Sequence, residues 1–142
     1  MARSILVPHD GSEHAQKALQ YALESFPDAR IVLFHAIDPF EVTPNAEEGR
    51  PPLTEEWLER QRAEVADLFE AARAEIDADE ATLETDTAFG SAAQCIVAYV
   101  GENDLDGIIM GNRGRSGPTD LRLGSVAELV VRRADVPVTV VR

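Results

Sequence analysis

The chain is short of cysteine, of lysine and of long apolar runs. Its single cysteine, Cys95, forms no internal disulfide, which excludes a disulfide-stapled scaffold and fits a reducing, cytoplasmic compartment. No apolar run approaches the roughly 20 residues a bilayer crossing needs. The opening "MARSILVPHDGS" has one arginine and a short apolar stretch, so it is not expected to act as a signal peptide. Positive charge is also scarce. Lys17 is the only lysine, and 12 of the 13 basic residues are arginine, against 26 carboxylates and a net charge of -13. Such a surface repels phosphate backbones and disfavours general nucleic-acid binding. It suits a salt-rich, halophilic cytoplasm, where screening mutes self-repulsion.

At 142 residues with 44% hydrophobic content, the chain has the size and core of one ordered domain, 1–142. Extended and helical patterns alternate along it. "SILVP" (4–8) reads as a buried strand stopped by the turn signal "HDGS". Ala15, Ala18, Leu19, Ala22, Leu23 and Phe26 then follow helical spacing. "RIVLFHAI" (30–37) is a second strand. The Pro- and acid-rich 38–52 reads as a surface loop. Thr54 is placed to cap a long helix whose apolar face carries Trp57, Leu58, Val65, Leu68, Phe69, Ala72 and Ile76. "TLETDTAF" (82–89) is a third, more exposed strand. "SAAQ" (91–94) opens a helix as a capping box, "GIIM" (107–110) is a fourth strand, and "SVAE" (125–128) is a second capping box. "VPVTVV" (136–141) is the last strand. The order β-α-β-α-β-α-β-α-β implies a parallel sheet covered on both faces, a doubly wound three-layer α/β/α fold. Ligands of such sheets bind beyond the carboxyl ends of the strands, where strand order reverses.

One segment breaks the acidic pattern. From Met110 to Arg133, five arginines face two carboxylates for a net +3, leaving -16 on the other residues. Arg132 and Arg133 fit a helix carboxyl end, where the dipole favours cations. Arg113, Arg115 and Arg122 have no such explanation. They share "MGNRGRSGPTDLRLGSVAEL" with Gly111, Gly114, Gly117 and Gly124. Gly111 and Gly114 form G-x-x-G, and nine residues separate Gly114 from Gly124-Ser125. Glycine amides in a loop after a strand can cradle an anion, and a helix N-terminus adds about half a positive charge. The P-loop pattern is excluded because no lysine lies nearby. The dinucleotide fingerprint is excluded because "PHDGSE" lacks G-x-G-x-x-G after the first strand.

G-x-x-G-(nine residues)-G-[ST] resembles the ATP-binding signature of the universal stress protein (UspA-type) family. "SILVPHDGSEHAQKALQYAL", "VLFHAID", "DGIIMGNRGRSG" and "LGSVAELVVRRADVPVTVV" resemble that family's other hallmarks, so the likeness spans essentially the whole chain. It implies a Rossmann-like, adenine-nucleotide alpha-hydrolase-like fold with five parallel strands in the order 3-2-1-4-5. It implies that Pro8 and Asp10 face the nucleotide, with Asp10 toward the ribose or toward a magnesium ion carried by the nucleotide. Ala36 would touch adenine, and Met110 and Gly111 would line the adenosine side. Gly114, Gly124, Ser125 and Val126 would hold the phosphates, with Arg113 and Arg115 flanking them. The implied ligand is ATP with Mg²⁺. The family also implies a homodimer through the final strand, Val136–Val141, an apolar edge of the kind that proteins pair or cover.

Other residues carry plainer expectations. Asp10 has a second available role, capping the first helix. His9 faces either the sheet or the site. His9, His14, His35 and Cys95 lack metal-ligand spacing. Cys95 has no basic neighbour and reads as an inert thiol. Trp57 reads as core or as part of a partner interface. No G-x-S-x-G elbow supports a serine triad. A receiver domain is excluded, because the ends of strands three and five lack its Asp and Lys. The expected function is a cytoplasmic ATP-binding regulator or protective factor of the stress response. The alternatives are a slow ATPase or phosphotransferase, for which no clear base is visible, and a family member that does not bind ATP.

Overall fold

The structure, a computed structural model, describes residues 3–39, 54–76, 83–112 and 123–142. Most of the acidic loop expected at 38–52 lies outside these residues, as do Arg113, Gly114, Arg115, Gly117 and Arg122.

Among the described residues, five strands, β1 (Ser4–Pro8), β2 (Arg30–Ile37), β3 (Leu83–Phe89), β4 (Gly107–Gly111) and β5 (Val138–Val141), alternate with four helices of eight residues or more. The helices are α1 (Glu13–Ser25), α2 (Glu55–Ala74), α3 (Ala92–Glu102) and α4 (Ser125–Arg133). All strand pairings are parallel, and the order is β3-β2-β1-β4-β5. The expected Rossmann-like sheet, its order and its covering helices are therefore present. β5 is shorter than the apolar run that suggested it. Pro137 has no N–H to give a ladder, although its carbonyl still accepts from Ile108 N at 3.0 Å.

The period-two alternation of the strands sorts the core into two layers. Odd-numbered Ile5, Val7, Ile31, Leu33 and Ile109 pack under α1 and α2 with Leu19, Trp57, Val65 and Phe69. Even-numbered Leu6, Val32, Phe34, Ile108 and Met110 pack under α3 and α4 with Ile96, Val100 and Val130. Trp57 is therefore core, though its buried indole N–H has no hydrogen-bond acceptor among the described residues. Phe34 meets Tyr99 of α3 with ring centroids 4.7 Å apart.

The two edges of the sheet differ in kind. On β3, Glu84 forms a two-pronged ion pair with Arg30, and Asp86 accepts from the Tyr99 hydroxyl at 2.8 Å. Burial, and then the bond to Asp86, push the Tyr99 phenol up to about 12. The β5 edge carries Val138, Thr139, Val140 and Val141, with no charged side chain among them.

Candidate functional site

β1 lies between β2 and β4, so chain order reverses between β1 and β4. This is the switch point of a doubly wound sheet, and the crevice beyond it is the expected ligand position. The β1–α1 loop and the segment after β4 both open there.

The β1–α1 loop is held by its own side chains. Ser12, not Asp10, is the N-cap of α1, and its hydroxyl accepts from Ala15 N at 3.1 Å. Asp10 instead accepts from Ser12 N at 3.0 Å, an Asx turn one step before the helix. Of the two roles expected for Asp10, helix capping thus falls to Ser12. Between them Gly11 takes φ +87, a conformation that favours glycine. His9 points inward and is only 5% exposed. Its backbone N–H donates to Phe34 O at 2.7 Å, and its carbonyl accepts from His35 Nδ1 at 2.7 Å. Its ring accepts from Gly11 N at Nδ1 and meets Gln16 Oε1 at Nε2. Burial is the main cause that lowers the His9 pKa, outweighing Gln16 and Asp10, which raise it.

The β4 side is built differently. Met110 and Gly111 point to opposite faces of the sheet. The Met110 side chain is buried in the α3/α4 core layer, so its main chain is what it offers to the crevice. Gly111 lies against the first turn of α1. A Cβ there would come within 2.7–2.8 Å of the His14 main chain, so packing alone demands glycine at this position. Beyond Gly111, Asn112 N donates to Val141 O at 2.7 Å, and Gly124 N donates to Asn112 O at 2.8 Å. Asn112, at the end of β4, and Gly124, at the start of α4, are therefore hydrogen-bonded neighbours. The structure corrects the capping box expected at Ser125–Glu128. The N-cap is Gly124, with no side-chain cap, and Ser125 is the first helical residue. The amides of Ser125, Val126 and Ala127 have no carbonyl acceptor within the helix, by the geometry of any α-helix start. The expected Ser91 capping bond is also not made.

The structure thus brings Pro8, Asp10, Met110, Gly111, Gly124, Ser125 and Val126 to one side of the sheet, at the ends of β1 and β4. Ala36 is half-buried in β2 and packs against the α3/α4 layer. Arg132 pairs with Glu128 at 2.9 Å, and Arg132 and Arg133 occupy the last turn of α4, as expected of a helix carboxyl end. Cys95 is half-buried, and burial raises its thiol pKa, as suits an inert thiol. Among the described residues no group of three or more His, Cys, Asp or Glu side chains could hold a metal ion. No described helix is long and apolar enough to cross a membrane. Sequence reasoning missed Gln16, Gln61 and Asn112. Gln61 and Asn112 are buried polar residues; Gln61 stands in no recognisable motif, and Asn112 occupies a variable position of the G-x-x-G pattern.

A doubly wound parallel sheet of order 3-2-1-4-5, with an uncapped helix N-terminus at its switch point, defines the Rossmann-like class of α/β proteins. Within that class the chain belongs to the universal stress protein family, whose sequence model matches residues 1–142. It is 35% identical over 147 residues to the universal stress protein encoded in the QAH/OAS sulfhydrylase 3' region of Thermus aquaticus, covering 100% of both chains. Its fold matches universal stress protein UspA from Lactobacillus plantarum with a TM-score of 0.78 at 24% identity, covering 99% of this chain and 97% of that one. It also matches the universal stress protein from Archaeoglobus fulgidus in complex with dAMP, with a TM-score of 0.61 at 19% identity, covering 100% and 98%.

Proposed function

We propose that this chain is an ATP-binding universal stress protein of the cytoplasm, a regulator or protective factor that uses nucleotide to shift a conformational or assembly equilibrium. One observation carries the reading. The first turn of α4 starts at Gly124 without a side-chain cap, beside Asn112 at the end of β4. A polyphosphate there meets unsatisfied amides and the positive end of a helix dipole. Arg113, Arg115 and Gly114 belong to the same segment and complete the phosphate side. Asp10, Pro8 and the Met110–Gly111 main chain form the nucleoside side, and Ala36 is placed toward the adenine. Mg²⁺ is carried by the phosphates. The family relationship and the relative solved with dAMP support an adenine nucleotide as the ligand class.

The assembly is a homodimer. The β5 edge is apolar and unpaired on its outer side, whereas β3 guards its edge with charges. Edges of the first kind are paired or covered. Light scattering at high salt should give twice the chain mass, and a monomer over a wide concentration range would contradict it. Calorimetric titration with Mg-ATP at high salt tests the main reading. Wild type should bind, and Gly114→Asp combined with Gly124→Asp should abolish binding while the fold survives. Absence of binding by the wild type would leave a family member that does not use ATP. Multiple-turnover release of ADP that vanishes in Asp10→Ala would instead support a slow ATPase.

A further inference from the structure

We propose that His9 is a positioning residue for the nucleotide site, fixing the β1–α1 loop from within and, through Gln16, tying that loop to the last turns of α2. This rests on the reading of the Asp10 loop as one wall of that site.

Direction of donation fixes the chemistry. Gly11 N–H points at His9 Nδ1 from 3.0 Å, so Nδ1 carries a lone pair. The neutral ring then bears its proton on Nε2, which donates to Gln16 Oε1 at 2.9 Å. The other end of the same amide, Gln16 Nε2, donates to Ala72 O at 3.0 Å. Every donor in the chain Gly11–His9–Gln16–Ala72 meets an acceptor, and the opposite tautomer would set two N–H groups against each other. Ala72 lies in the last turn of α2, where carbonyls lack intrahelical donors. The bridge therefore satisfies a helix-end carbonyl and a loop amide together, across 56 residues of sequence between Gln16 and Ala72.

The loop it holds needs holding. Gly11 sits at φ +87, and glycine loses more freedom on ordering than any other residue. Asp10 and Ser12 flank it, and their own bond depends on its conformation. Without the His9 acceptor the Gly11 N–H loses this part-buried bond and the loop samples other states. A ligand must then select the competent fraction, and its apparent affinity falls by that fraction. His35, donating to the His9 carbonyl, holds the residue from the β2 side.

The test uses the full chain. His9→Phe keeps a planar apolar ring and removes both hydrogen bonds. His9→Asn keeps an acceptor oxygen close to the Nδ1 position, and Gln16→Leu cuts only the link to α2. In the nucleotide-free protein, amide exchange at Gly11 and Ser12 should accelerate by about ten-fold in His9→Phe, the effect of losing one hydrogen bond of about 1.4 kcal/mol. Protection of β5 amides should be unchanged. ¹⁵N correlation spectra should place the wild-type His9 proton on Nε2. Mg-ATP affinity should fall roughly ten-fold in His9→Phe and several-fold in Gln16→Leu, and return to within about three-fold in His9→Asn. Unchanged Gly11 and Ser12 exchange in His9→Phe, or a proton on Nδ1, would overturn the proposal. If His9→Phe does not fold, Gln16→Leu decides, because unchanged loop exchange there contradicts the coupling to α2. Wild type that binds no nucleotide would defeat the proposed function, while the exchange and tautomer readouts still judge the positioning role.

Discussion

α1 and α4 both start at the carboxyl edge of the sheet, one after β1 and one after β4, yet their first turns are finished differently. α1 is closed by its own residues. Ser12 caps it, Asp10 orders the turn before it, and His9 braces that turn from the interior. α4 begins at Gly124, which has no side chain to cap the first-turn amides. A helix start finished by its own side chains is built for stability. In the function proposed above, one left uncapped at the crevice where ligands of this fold bind receives its acceptor from outside. Three of the chain's 13 basic residues, Arg113, Arg115 and Arg122, fall in the stretch of sequence leading to the open one.

Substitutions at the two starts should separate along this line. The largest stability loss is expected where they meet, at Gly111. Gly111→Ala drives a Cβ into the His14 main chain, which side-chain motion cannot relieve. Overpacking of this kind costs about 1–3 kcal/mol, so a thermal melt should drop by roughly 3–10 °C. Next comes Ser12→Ala, which removes the only side-chain cap of α1 and should cost about 1 kcal/mol in denaturant unfolding. Ser125→Ala, one residue inside the open start, should stay within about 0.5 kcal/mol of wild type, because no cap is lost. The smallest effect is expected at Glu128→Ala. It breaks an exposed i,i+4 pair with Arg132 and should cost about 0.3–0.5 kcal/mol, less at high salt. Equal losses from Ser12→Ala and Ser125→Ala would erase the contrast.

The element order was legible because apolar runs, helical spacing and turn residues agreed along the whole chain, and the two-faced core followed from strand alternation. Helix starts were legible only in part. At "HDGS" the sequence offers two oxygen acceptors two residues apart, and only the loop geometry decides that Ser12 caps while Asp10 turns. At "GSVAE" the S-x-x-E spacing mimics a capping box, but the helix begins one residue earlier, so Ser125 lies inside it. Gly111 stands in a phosphate-type glycine pattern, yet its immediate reason is the approach of α1, which strand order brings alongside. The partners of His9 were hidden for the same reason, since Ala72 lies in a helix far along the chain. The phosphate-side residues Arg113, Gly114 and Arg115 were read from the sequence and lie outside the described residues.

Gly124→Asp, followed by Mg-ATP calorimetry and a thermal melt of the same sample, tests the central claim most directly. The backbone there (φ -66, ψ 159) accepts any L residue, and Asp is among the best N-caps. The account predicts a variant that melts at or slightly above the wild-type temperature, gaining a few tenths of a kcal/mol, yet no longer binds the nucleotide that wild type binds. A variant that binds Mg-ATP as tightly as wild type would contradict it.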